Sequence, residues 1–186
     1  ILKGTITSDV TLAAGNTYKL SGEYIVEEGA TLHIEEGVKI IAVYDDIADY
    51  ILVKQGGKIN AVGTPDKPIV MTSEKEEPGA WGGIHICGRA HTNAEGGKGS
   101  SEIGGAVYGG NDDADNSGTL QYIRLEYTGF AFDEEHEANG ISFYGVGNGT
   151  IVDHCQAYKG SDDGFEFFGG SLNVSNLIAV SCSDDS

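Results

Sequence analysis

Basic residues are scarce in this sequence, and their scarcity excludes two classes of partner. The 186 residues include 11 lysines and arginines against 29 aspartates and glutamates, which gives a net charge of -18 at pH 7. Such a charge repels both the phosphate backbone of nucleic acids and the anionic headgroups of a membrane surface. It suits an extracellular setting, where clustered carboxylates meet Ca²⁺, a hard cation that prefers oxygen ligands. We therefore expect no nucleic-acid binding and a secreted or cell-surface location.

Long hydrophobic runs are also missing. No run is long enough to span a bilayer or to act as a retained signal segment. The chain begins at Ile1, and its only methionine is Met71. We therefore expect no direct membrane insertion, a secretion signal removed before Ile1, and a chain that is a fragment of a longer protein.

Cysteine is too rare to build a framework of disulfides or a zinc ribbon. Cys87, Cys155 and Cys182 are odd in number, far apart in sequence and without a C-x-x-C motif. They are expected as small buried residues. A bridge between Cys155 and Cys182 is the alternative.

The sequence has no clear helix signal. It has instead a repeated pattern in which a glycine precedes a short strand. Gly118, Gly149 and Gly170 each precede a short β-branched or apolar run, and the Asp162-Asp163 pair recurs 22 residues later as Asp184-Asp185. Shorter copies of the same pattern occupy residues 15–20, 29–34 and 56–61. A unit of about 22 residues with three short strands is typical of one coil of a β-solenoid. The sequence therefore predicts an all-β, right-handed parallel β-helix that forms a single domain over residues 1–186.

The predicted strands are short, and two segments interrupt them. Residues 89–117 are rich in Gly, Ser, Asn and Asp and lack apolar periodicity, which predicts a long loop insertion at one corner of the solenoid. Residues 130–138 form a shorter acidic interruption. Strands are expected at residues 50–54, 69–72, 83–87, 122–127, 141–144 and 177–182, outside these two segments.

Several motifs resemble a family of secreted right-handed parallel β-helix proteins of Bacteroidota. They are GATLHIEEG at 29–37, GKINAVGT at 57–64, PGAWGGI at 78–84, YGGNDD at 108–113, DNSGTL at 115–120 and GSDDGFEFFGG at 160–170. The resemblance spans nearly the whole chain and implies the β-helix fold and a surface or extracellular location. It implies no activity, because members of this family are largely uncharacterised.

The two aspartate pairs are the candidate metal site. Asp162, Asp163, Asp184 and Asp185 hold matching positions on successive coils, and a stacking distance of about 4.8 Å would bring their carboxylates together. One interpretation is a Ca²⁺ ion that gathers them. The other is a set of turn residues whose side chains accept hydrogen bonds from backbone N–H groups.

A catalytic role for the same region is the alternative to a non-catalytic one. Asp162 and Asp163 could act as the paired carboxylates of a glycoside hydrolase, and Lys159 as the basic group that a polysaccharide lyase needs. No complete set of hydrolase or lyase motifs follows them. Aromatic residues could stack on sugar rings if exposed, but stacks within the β-helix are the ordinary interpretation of Trp81, Phe143, Tyr144, Phe165, Phe167 and Phe168.

Three hypotheses for function follow. The favoured one is a non-catalytic structural or adhesive module of the cell surface, stabilised by calcium. The second is a protein that binds or degrades polysaccharide. The third is a subunit that binds other copies of itself through the ends of the solenoid and so forms a filament, because an uncovered coil end offers unpaired backbone groups.

Overall fold

A computed structural model describes residues 1–45, 47–133 and 136–184. The strands are β1 (Leu2–Ile6), β2 (Val10–Leu12), β3 (Thr17–Val26), β4 (Thr31–Ile34), β5 (Lys39–Ala42), β6 (Tyr50–Val53), β7 (Lys58–Val62), β8 (Ile69–Ser73), β9 (Ile84–Cys87), β10 (Gly99–Ser100), β11 (Val107–Tyr108), β12 (Gly118–Glu126), β13 (Ile141–Tyr144), β14 (Ile151–Tyr158), β15 (Phe165–Phe168) and β16 (Val174–Val180). The one helical segment among the described residues is a 3₁₀ turn at Glu95–Gly97. No helix in this part of the chain is long and apolar enough to cross a membrane.

The strands stack as parallel coils with three faces, which we call sheets A, B and C. Sheet A contains β2, β4, β7 and the first halves of β12, β14 and β16. Sheet B contains the first half of β3, then β5, β8 and the second halves of β12, β14 and β16. Sheet C contains β1, the second half of β3, β6, β9, β13 and β15. The chain visits A, B and C in turn, and the molecule is the right-handed parallel β-helix that the repeat predicts.

The core lies inside the solenoid and is built by alternation along each strand. Leu12, Ile34, Ala61, Leu120 and Val152 are register partners on successive coils of sheet A, and each is at most 2% exposed. Each large side chain buried in this way contributes about 1.5–3 kcal/mol of hydrophobic stabilisation. Since every coil covers the apolar layer of the coil before it, the periodic positions seen in the sequence become continuous columns.

The corner between sheets A and B is one residue wide on the later coils. Tyr122, His154 and Asn176 occupy it with positive φ values of 51°, 52° and 52°. The Tyr122 and His154 rings stack there with centroids 4.6 Å apart. The coils also lie so close together at the start of β12 that only glycine fits at position 118. A Cβ on Gly118 would lie 2.0 Å from the carbonyl oxygen of Ile59.

The insertion at residues 89–117 packs against the outside of sheet C. It contains the antiparallel pair β10–β11 and forms a second apolar cluster with outward-facing residues of that sheet. The members of this cluster are Tyr50, Leu52, Cys87, Ile103, Ala106, Tyr108, Ala138 and Tyr144. Sheet C is therefore covered on both faces over part of its length.

The cysteines are free thiols. Cys87 and Cys155 are buried, as expected, and Cys182 is partly buried. The alternative of a Cys155–Cys182 bridge is wrong. Aromatic stacking along the coils is confirmed for two pairs, Phe143 with Phe167 at 5.0 Å and Tyr144 with Phe168 at 4.4 Å between ring centroids.

Candidate functional site

The corner between sheets B and C carries the variable loops, and an acidic cleft lies there. Its volume is about 240 Å³. The loops that follow β12, β14 and β16 supply most of its lining, β15 supplies one residue from its outward face, and the insertion supplies another. The lining residues are Glu102, Glu137, Asn139, Asp162, Asp163, Glu166 and Asp184. We call this site the acidic cleft.

Three of the four aspartates expected at a metal site meet in the acidic cleft. Asp162, Asp163 and Asp184 each offer one carboxylate oxygen such that the three oxygens lie within 4.8 Å of one another. The parallel stacking of β14 on β16 places the two loops one above the other, which explains the contact. Asp185 lies outside the described residues.

The turn role expected for the aspartates is also present at Asp162. The backbone N–H of Asp163 donates a hydrogen bond of 3.0 Å to Oδ1 of Asp162. The carbonyl oxygen of Asp163 accepts a hydrogen bond of 3.0 Å from the N–H of Gly140 on the preceding coil. The two interpretations are therefore compatible, because a turn hydrogen bond occupies only one carboxylate oxygen of Asp162.

The sequence analysis did not predict four lining residues of the acidic cleft as site residues: Glu102, Glu137, Asn139 and Glu166. Glu166 points outward from β15, and the Asn139 amide donates to Oε2 of Glu166 at 2.5 Å and to Oγ of Ser142 at 3.1 Å. Burial raises the pKa of Glu166 to about 7, and the charge of Glu102 adds to the rise. The sequence signal that could have identified Glu166 is its position, since it is a charged residue at an outward position of the strand that follows the Asp162-Asp163 pair.

Mutual repulsion and burial raise the pKa values of other carboxyls as well. Burial raises the pKa of Asp162 above its ordinary value, and the charges of Glu137 and Asp184 act in the same direction. Burial likewise raises the pKa of Glu102, which the insertion places beside the cleft. These carboxyls therefore hold their negative charge at a free-energy cost, and a bound cation would relieve it.

The donor set fits a hard divalent cation. Ca²⁺ binds six to eight oxygens at about 2.3–2.6 Å, so two oxygens on opposite sides of the ion are roughly 4.6–5.2 Å apart. Three carboxylate oxygens that all lie within 4.8 Å of one another are close enough to share one such ion. Asp162, Asp163 and Asp184 would hold the ion, with water completing its coordination.

Lys159 is not part of this site. Its side chain is exposed, and its ammonium lies 5.2 Å from the centroid of the Tyr158 ring. The described residues that line the acidic cleft include neither lysine nor arginine. The basic group that lyase chemistry requires is therefore not supplied to the cleft by Lys159.

Comparison with known proteins agrees with the architecture. A family model described as "Pectate-lyase like beta helix domain" matches residues 4–186. Neither the curated proteins nor the solved structures give a match to this chain.

Proposed function

The chain belongs to the pectate-lyase-like β-helix family, and we propose that it is a non-catalytic structural and adhesive module of the cell surface in which the acidic cleft binds Ca²⁺. The observation that carries the proposal is the group of carboxylate oxygens from Asp162, Asp163 and Asp184 within 4.8 Å of one another. Calcium bound there would tie two successive coils together at a corner. The ion would thus act on the stability of the module.

The chemistry of the cleft favours binding over cleavage. The proton-abstracting group expected of a lyase here is a lysine or arginine, and the described lining offers only carboxyls and one amide. A hydrolase needs a proton donor, and Glu166, with a pKa of about 7, is the side chain suited to that role. The catalytic alternative therefore depends on Glu166 together with Asp162 or Asp163.

The acidic net charge of the chain and the proposed extracellular location both agree with calcium binding. Calcium is plentiful outside cells, and the net charge of -18 needs counterions in any setting. A rigid solenoid with an acidic corner would present a calcium-coated surface to a partner. Surface polysaccharide is the partner class that the family membership favours.

Calcium titration by calorimetry tests the metal site, together with thermal melts in Ca²⁺ and in chelator. We expect wild-type protein to give a saturable heat and a higher melting temperature, because a ligand at 100 times its Kd stabilises the folded state by about 2.7 kcal/mol. The double variant Asp162→Asn with Asp163→Asn should lose both effects. The matched control is Asp66→Asn with Glu76→Gln, which removes two exposed carboxylates elsewhere and should keep them.

Two outcomes would overturn parts of the proposal. Absence of calcium heat in wild type, or equal heat in the cleft variant, would eliminate the metal site. Calcium-dependent release of shortened chains from polygalacturonate, abolished by Glu166→Gln, would replace the non-catalytic role by the catalytic alternative.

A further inference from the structure

A second cleft lies along the same corner of the solenoid, on earlier coils than the acidic cleft. It has a volume of about 320 Å³, and Tyr44, Asp45, Lys75, Glu77, the 78–80 segment and Phe130 line it. We call it the Tyr44 cleft. Its walls come from the loops after β5, β8 and β12, so three successive coils build it.

Backbone hydrogen bonds between coils hold one wall of the Tyr44 cleft in place. The N–H groups of Gly79 and Ala80 donate to the carbonyl oxygens of Thr128 and Tyr127 at 2.9 and 3.0 Å. The N–H of Phe130 in turn donates to the carbonyl oxygen of Trp81 at 3.2 Å. A wall fixed in this way needs no reordering to bind a ligand, which lowers the entropic cost of binding.

Aromatic surface is exposed in and beside this cleft. Tyr44 is 55% exposed, and Phe132, whose ring packs edge to face on Phe130 at 5.1 Å, is 40% exposed. The Lys75 ammonium lies 4.5 Å from the centroid of the Tyr44 ring and 3.0 Å from its hydroxyl, which orients the ring. Exposed rings held in position are the surface on which the C–H face of a pyranose packs.

The charges around the cleft select against acidic ligands. Asp45 and Glu77 contribute two carboxylates, and the single ammonium of Lys75 is already paired with Glu77 at 3.0 Å. Carboxylates accept hydrogen bonds well from sugar hydroxyls but repel uronates, sulfates and phosphates. Lining that combines aromatic rings with a few polar groups is typical of small-ligand sites.

We propose that the Tyr44 cleft binds a neutral pyranose unit of a polysaccharide, with Tyr44 as the stacking platform and Asp45 and Glu77 as acceptors for its hydroxyls. The site is separate from the acidic cleft and uses no metal ion. A polysaccharide that follows the corner would meet the Tyr44 cleft first and the acidic cleft on the later coils.

Calorimetric titration with defined hexasaccharides tests this site. The probes are cellohexaose, mannohexaose, xylohexaose and galactohexaose as neutral chains and hexagalacturonate as the acidic one, each with and without EDTA. We expect saturable binding of at least one neutral probe, unchanged by EDTA, and weaker binding of hexagalacturonate. Tyr44→Ala should reduce affinity for the neutral probe about tenfold, which corresponds to about 1.4 kcal/mol of binding free energy, because it removes the ring on which the sugar packs.

Two further variants keep the result interpretable. Tyr44→Phe keeps the ring and should retain most of the affinity, and Val107→Ala removes an apolar side chain that is 54% exposed outside the cleft and should change nothing. The proposal is overturned if no neutral probe binds, if hexagalacturonate binds best, or if Tyr44→Ala binds like wild type. Sugar binding that is lost in EDTA would overturn the claim that the Tyr44 cleft uses no metal ion. Failure of the acidic cleft to bind calcium would count against the proposed function only, because sugar binding at the Tyr44 cleft does not depend on it.

Discussion

Asp162 lies in the acidic cleft at a place where neighbouring negative charges make its ionisation more costly. Burial raises the pKa of Asp162, and the neighbouring Glu137 and Asp184 charges raise it further. Some carboxylates elsewhere on the chain are paired with lysines or arginines, as Glu27 is with Lys54 at 2.6 Å. The acidic cleft differs from these because the described residues that line it include no cationic side chain.

Glu166 is one residue of the acidic cleft whose ionisation should be visible in the stability of the protein. Its pKa is about 7 in the folded state against an ordinary value of 4.5, so the folded state favours the protonated carboxyl. That contribution is fully present below about pH 4.5 and is lost as the pH rises through 7. In chelator, wild type should therefore melt at a lower temperature at high pH than at low pH.

Glu166→Gln tests this prediction because it mimics the neutral carboxyl. We compare the free energy of unfolding at about pH 5.5 and about pH 8.5, roughly one and a half units on either side of neutrality. The loss between these two pH values should be smaller in Glu166→Gln than in wild type by on the order of 1 kcal/mol, after allowance for solvent screening. Thermal melts across this range measure it. Glu76→Gln, on an exposed glutamate, should keep the wild-type profile, and an unchanged profile in Glu166→Gln would contradict the prediction.

At the scale of elements, the insertion between β9 and β12 behaves as part of the packed structure. Ile103 is 1% exposed and belongs to the apolar cluster that covers outward-facing Leu52 and Tyr144 of sheet C. Sequence composition predicted a polar excursion because its few apolar residues have no period. Their partners are on strands that precede and follow the insertion by many residues, which local pattern does not reveal.

Ile103→Ala measures how firmly the insertion is packed. Removing a fully buried isoleucine costs about 2–5 kcal/mol through lost burial and the cavity left behind. Val107→Ala in the same insertion is the control, because Val107 is 54% exposed and its loss should cost about 0.5 kcal/mol or less. Urea unfolding gives both values. Equal effects would show that the cluster adds little to stability.

At the scale of the whole molecule, charge and fold act against each other. The excess of acidic residues gives a net charge of -18, and a compact solenoid holds these charges close together. Surface ion pairs such as Lys67–Glu36 at 2.8 Å offset only a small part of this repulsion. Adhesion to a surface and association with other copies of the chain remain predictions at this scale.

Monovalent salt should therefore stabilise the protein independently of calcium. Raising NaCl from about 10 mM to about 150 mM in chelator shortens the Debye length from about 30 Å to about 8 Å and screens the repulsion. A gain of roughly 1 kcal/mol corresponds to a rise of about 2–4 °C in the melting temperature for a protein of this size. KCl should act like NaCl. A melting temperature that stays constant or falls with salt would contradict this account.

Local periodicity in the sequence was enough to predict the coil of the solenoid. Periodic glycines and alternating apolar residues predicted the parallel β-helix, and strand β13 (Ile141–Tyr144) has the predicted bounds. Strands β12 and β14 are longer than single strands of the repeat because each turns a sheet corner at a residue with positive φ, at Tyr122 and His154. Periodicity is local information, so the fold that depends on it could be predicted.

The set of side chains that share a site depends on how loops from different coils pack together. The 22-residue repeat was enough to predict that Asp162 and Asp163 meet Asp184. It could not predict that Glu102, from the insertion, and Asn139, from an irregular loop, would join them. The repeat also could not predict that Tyr44 and Phe130 would line one cleft. These contacts form where loops of unequal length stack at one corner, and their geometry depends on backbone hydrogen bonds between coils that leave no period in the sequence.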